Sequence, residues 1–168
     1  MCGDEKIASA ESVMKTAQSR SVIRKASLED LPAILAIERA CATAGHWAES
    51  DYQEAIQQPH RLTLVAEEAG KVLGFLIAST ATDEWELENI AVDPVARRRG
   101  VGRALLTALI NHARRGNASE IRQEVRASSF PAHQLGQSVG FVQEGRRKNY
   151  YHDPLEDALL FKYLLTCK

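Results

Sequence analysis

The chain is poor in the residues that would staple, anchor or export it. Its three cysteines, Cys2, Cys41 and Cys167, are odd in number and far apart, which suits neither a disulfide framework nor a metal-ligand set and fits a reducing cytoplasm. No apolar run is long enough for a membrane span or a signal peptide, and the first twenty residues carry Asp4 and Glu5, so neither export nor a membrane partner is expected. Charge of one sign is also lacking. With 21 Lys and Arg against 22 Asp and Glu, no global field draws nucleic acid, and any anion site must be local. Proline is scarce as well, and each of the five falls where an element starts or stops. No repeat or low-complexity segment interrupts the 168 residues, a length that supports one domain with a sizeable core. That domain is expected over 21–168. Residues 1–20 read as a loose tail or, through Ile7, Val13, Met14 and Ala17, as a short extra helix.

What is present alternates between strand and helix patterns. Val22 to Ala26 is a strand candidate, and Ser27 with Asp30 three residues on starts a helix through Leu31, Ile34 and Leu35 to about Ala40, with Pro32 tolerable in its first turn. A loop containing His46 and Trp47 precedes a second helix, roughly Ser50 to Gln57, ended by Pro59. Arg61–Ala66 and Val72–Ala78 form a hairpin around a Gly-containing connection, and a third strand begins near Trp85. A long helix closes at Gly116-Asn117, and Ile121–Val125 returns parallel to the strand before that helix. Pro131 to Val139 is a short helix with Gly140 just past its end, and Arg146–Tyr151 and Ala158–Leu165 are a final strand pair. The pattern is α/β with a mixed sheet.

The stretch from Leu87 to Leu106 organises the rest. Leu87, Ile90 and Val92 suit a buried strand, Pro94 stops it, and Leu105, Leu106, Leu109 and Ile110 recur at helical spacing. Between them, backbone N–H groups, a helix N-terminus and Arg97, Arg98, Arg99 and Arg103 converge, while Gly100 and Gly102 admit a phosphate close to the backbone. The loop lacks the Gly-Lys-Ser/Thr of a P-loop.

Arg97-x-x-Gly100-x-Gly102 fits the Arg/Gln-x-x-Gly-x-Gly/Ala signature of the GNAT superfamily of acyl-CoA N-acyltransferases. Asn89 to Pro94, Glu124 to Ser128, Gly140-Phe141, Arg147 to Tyr151 and Glu156 to Ala158 resemble the marks of bacterial ribosomal-protein-alanine N-acetyltransferases and their protein N-terminal relatives. The resemblance implies a mixed sheet of six to seven strands flanked by about four helices, and transfer of an acetyl group from acetyl-CoA to a primary amine, foremost a protein N-terminus such as that of a ribosomal protein. It implies a pantetheine arm along Ile90, Ala91 and Val92, touched by Ser129, with the pyrophosphate on Arg97, Arg98, Arg99, Gly100, Val101, Gly102 and Arg103. A lysine or small-molecule amine as acceptor, or acyl-CoA binding without turnover, stays open, because a fold does not settle function.

The chemistry needs a neutral amine, and an α-amino group with a pKa of about 7.7–8 needs only a modest base. The resemblance puts that base at Glu124, with Glu88 in reserve; the other reading is a strand carboxylate paired with Arg122 or Arg126. Trp47, Tyr150 and Tyr151 are implied in acceptor binding, against their being packing aromatics, and strand alternation predicts that only one of the two tyrosines faces the cleft. The chain departs from the family at Ser129, where Asn is usual, and at Gly136, where a Tyr protonates the leaving thiolate. Gly136 either leaves the thiolate without an acid or makes room for something larger.

Overall fold

The computed structural model describes residues 21–41 and 46–165; the expected tail or helix of residues 1–20 lies outside them. Among the described residues there are seven strands and four α-helices. The strands are β1 (Val22–Lys25), β2 (Arg61–Glu68), β3 (Lys71–Ala81), β4 (Glu84–Val92), β5 (Glu120–Arg126), β6 (Val142–His152) and β7 (Leu155–Leu164). The helices are α1 (Leu31–Ala40), α2 (Glu49–Gln57), α3 (Val101–Arg115) and α4 (Phe130–Val139). One sheet in the order β1-β2-β3-β4-β5-β7-β6 holds all seven strands, and only β4 and β5 run parallel.

Local signals set most boundaries where the sequence puts them. The Ser27 amide donates to Asp30 Oδ2 at 2.8 Å, and a 3-10 turn over Leu28–Asp30 leads into α1 with Pro32 in its first turn. The β2–β3 connection is tighter than expected. It needs only Ala69 and Gly70, both at positive φ, so the strands extend through Glu68 and from Lys71. At the end of α3 the left-handed residue is Asn117 rather than Gly116, and Ala118 donates back to the Ala113 carbonyl to close the helix.

The last two strands differ most from expectation. β6 begins at Val142 and runs to His152, and β7 starts at Leu155, so the link is only Asp153 and Pro154. Nearly every side chain of Val142–Arg147 is exposed, so the segment lacks the buried alternation that marks a strand; pairing with β7 makes it one.

Two cores lie on opposite faces of the sheet. Under α3 and α4, Leu76, Leu87, Leu105, Leu109, Ile121 and Phe161 are packed together. Under α1 and α2 the second core holds Ile34, Ile37, Tyr52, Val65, Phe75 and Ile77. The second pair of helices covers only the β1–β4 half, which leaves the β5–β7–β6 half of that face open.

Candidate active site

Two irregularities in β4 and β5 make a cleft. Ile77 pairs with Asn89 and Ala78 with Leu87, so Glu88 is an extra residue that bulges from β4. The bulge reverses the alternation of faces: Trp85 and Leu87 join the α3 core, whereas Ala91 joins the α1 core and Asn89 donates to the Tyr52 hydroxyl at 3.1 Å. Parallel pairing with β5 stops at Leu87 and Gln123. Beyond that point the two strands part around a cavity of about 630 Å³. Its lining includes Leu87 to Ile90 on one side, Gln123 to Arg126 on the other, and Ser129 and Ala132 at the start of α4.

The Arg-rich loop lies at the far end of β4. Pro94–Ala96 form a 3-10 turn, Arg98 has φ +60°, and Gly100 caps α3 at φ +80°, a conformation that any L side chain would strain. No side chain caps α3, so its first N–H groups have no side-chain partner. The four arginines divide into two pairs. Arg97 bonds Cys41 Sγ at 3.4 Å and the Val92 carbonyl at 3.5 Å, and Arg99 is ion-paired with Glu68. Arg98 and Arg103 are exposed and have no carboxylate partner among the described residues, so they are the cations free to meet an anion. Gly102 also lets α3 and α4 approach, since a Cβ there would stand 2.9 Å from Leu135 Cδ2. Val101 is buried and contributes its backbone, while Ile90, Ala91 and Val92 continue from the cavity towards the loop.

At the other end, carboxylates gather. Glu124 faces the cavity and a neighbouring one on the open half of the sheet, and its partner is neither Arg122 nor Arg126. Arg122 is taken by Glu120 and Glu84, and Arg126 by Glu156; instead Arg147 lies 3.3 Å from Glu124. Glu124 beside the Tyr150 hydroxyl raises the phenol above its ordinary range, by accepting its proton in a hydrogen bond and by its charge. Glu88, the reserve candidate, also lines the cavity, but Ser79 Oγ bonds it at 2.9 Å and Arg61 lies 3.7 Å away. Glu86 was missed in the sequence. It lies beside both cavities, and burial, followed by the charges of Glu124 and Glu88, raises its carboxyl. The period-two run Glu84, Glu86, Glu88 was the available signal.

Both tyrosines face the cavity, contrary to the alternation argument. Arg147 pairs with Ala158 and the next pair is Tyr151 with Glu156, so Lys148, Asn149 and Tyr150 oppose Asp157 alone. Asn149 takes φ +54° and donates its N–H to Asp157 at 2.9 Å. This bulge suspends the pleat, and the two rings meet edge to face at 5.1 Å, with Arg126 4.2 Å from the Tyr151 ring centre. Trp47 lines the cavity and also packs 5.4 Å from the Tyr52 ring. His46 lines it too, bonded to Glu38 at 3.0 Å.

Chemically, the site offers an anion platform, an elongated cleft with one free strand edge on each side, and a carboxylate–tyrosine pair at the closed end. A model of the acetyltransferase (GNAT) family matches residues 31–141. The ribosomal protein bS18-alanine N-acetyltransferase of Escherichia coli K12 is 41% identical over 134 residues, 78% of this chain and 88% of that protein. The N-alpha-acetyltransferase RimI of Mycobacterium tuberculosis is 33% identical over 116 residues, 67% of this chain and 72% of its own. Among solved structures, the ribosomal-protein-S18-alanine N-acetyltransferase from Escherichia coli superposes with a TM-score of 0.78 at 34% identity, over 88% of this chain and 96% of that one. Ard1 from Thermoplasma volcanium gives 0.79 at 27% identity, over 88% and 99%.

Proposed function

The chain belongs to the acetyltransferase (GNAT) family and is an N-acetyltransferase, and from that premise we propose that it acetylates the N-terminal α-amino group of a protein, a ribosomal protein such as bS18 being the first candidate. Enzymes of this family use acetyl-CoA as co-substrate. The observation that carries the reading is the parting of β4 and β5 after Leu87 and Gln123, which opens a cavity at Glu124 whose β4 wall continues through Ala91 and Val92 to the loop of the anion platform. Five residue-to-residue steps lead from Leu87 to Val92, about 16 Å of strand at roughly 3.3 Å each, enough for an extended pantetheine arm.

The residues present fit the group. Arg98, Arg103 and the first amides of α3 supply donors for a pyrophosphate, and the edge of β4 beyond Leu87, apart from the Val92 carbonyl that Cys41 and Arg97 take, supplies partners for the amides of the arm. Ser129 is 8% exposed, lines the cleft, and its hydroxyl makes no hydrogen bond among the described residues, so it is available to the same arm.

On the acceptor side Glu124 takes the proton of the incoming ammonium, directly or through water, and Tyr150 holds the carboxylate in place. Trp47, Tyr150 and Tyr151 line the cavity together with Glu124 and supply the aromatic surface against which a chain end can pack. The relatives' names direct the choice towards an Ala-starting protein N-terminus. A peptide panel with Ala-starting, lysine-bearing and small-amine acceptors, read by mass spectrometry of the modified nitrogen, tests it. The α-nitrogen of the Ala-starting peptide should be modified first; preference for a lysine or a free amine rejects the assignment.

A further inference from the structure

Gln123 is a polar group at the bottom of the cleft with no task in the scheme above. It is 8% exposed, it belongs to the last parallel pair before β4 and β5 part, and it lines the cavity. Among the described residues its amide has no hydrogen-bond partner. The amide opens on the cleft with its hydrogen-bonding capacity unused by the protein, which makes it available to a ligand there. Its oxygen lies 3.6 Å from where a Cβ on Gly136 would stand, on the α4 side of the sheet, whereas Glu124, the next residue, faces the opposite side.

We propose that the Gln123 amide donates a hydrogen bond to the thioester sulfur and to the thiolate that leaves it. The inference rests on the acyl-CoA reading of the cleft. The anion platform sits at the N-terminus of α3, and α3 and α4 share one side of the sheet, so the sulfur reaches the closed end from that side while the amine arrives from the side of Glu124. The amine nitrogen bonds to the acyl carbon, the carbon–sulfur bond breaks, and its electron pair stays on sulfur. The ammonium proton passes to Glu124 or water. An amide is no acid at neutral pH, so the group leaves as thiolate and takes its proton from solvent afterwards. Gln123 stabilises that charge without giving up a proton.

The test uses CoA and desulfo-CoA, which lacks the sulfur, with calorimetry above pH 8. Wild type should prefer CoA by about tenfold, the scale of a hydrogen bond to a charged group. Gln123→Leu should bind the two within twofold, with kcat reduced about tenfold or more and KM for acetyl-CoA little changed. A sulfur preference that survives in Gln123→Leu overturns the proposal, whatever happens to kcat. A measurement without any variant guards against misfolding: the thiol of CoA bound to wild type, followed by thiolate absorbance, should ionise below the value of free CoA titrated alongside, and an unshifted or raised value also overturns it. If wild type binds neither molecule, the acyl-CoA reading itself falls and this inference with it, a pattern unlike loss of the sulfur preference alone.

Discussion

Replacing Gly136 by alanine and by tyrosine separates the stability of α4 from the space beside it. A Cβ at this position would meet Gln123 Oε1 and Phe141 Cβ at 3.6 Å, and Phe141 Cγ at 3.9 Å, all ordinary contacts. Alanine therefore fits without displacement. In a helix interior it is favoured over glycine by about 0.8–1 kcal/mol, and burying the methyl adds about 0.8 kcal/mol. A domain of this size gains about 2–4 °C per kcal/mol, so thermal unfolding of Gly136→Ala should move up by about 3–8 °C. Tyrosine continues along the same direction into Gln123 and Phe141. Overpacking of that kind costs about 1–3 kcal/mol, and where it falls on the ligand-bound state it is about a 5- to 150-fold loss of affinity. Steady-state kinetics with acetyl-CoA and an Ala-starting peptide should show a raised KM for acetyl-CoA in Gly136→Tyr. A lower unfolding temperature for the alanine variant would refute the packing argument. A higher kcat at unchanged KM for the tyrosine variant would show that the glycine marks a missing acid rather than kept space.

Glu124→Gln keeps the shape and removes proton acceptance, so kcat/KM should fall about 10²–10⁴-fold; equal activity of the two proteins across pH 6–9 would move the base to Glu86 or Glu88. In the same variant Tyr150 loses the carboxylate that raises it, so an absorbance titration should find its phenol lower than in wild type. Gly100→Trp forces a bulky side chain to φ +80° at the anion platform and should weaken CoA binding in calorimetry; unchanged affinity would mean the pyrophosphate lies elsewhere. Asp30 is buried and accepts from Arg24 at 2.8 Å and from the Ser27 amide, and the Arg24 bonds hold its carboxyl below the ordinary range. Because the folded value is depressed, this stability is fully present above about pH 4 to 5 and fades as pH falls through the folded value. Asp30→Asn should therefore cost about 1.5–3 kcal/mol in urea unfolding at pH 7 and progressively less in acid, and a cost independent of pH would contradict the ion-pair account.

The sequence by itself determined whatever depends on local chemistry. Ser27 with Asp30, Pro32, Pro94 and Gly140 act within a turn of chain, so the helix ends and the loop before α3 were legible, as was the convergence of arginines and free amides there. The GNAT signature and the β4–α3–β5 unit followed from the same short range. Only the tertiary structure decided which way side chains point where a strand departs from its pleat. The bulge at Glu88 reverses the faces of β4, and the one at Asn149 turns both Tyr150 and Tyr151 into the cleft. It also made a strand of the exposed Val142–Arg147, gave Glu124 the distant Arg147 as partner in place of its neighbours, and left Gln123 unpaired beside Gly136. Register and pairing are settled between strands far apart in the chain, and the extra residue in a bulge is extra only relative to the strand opposite.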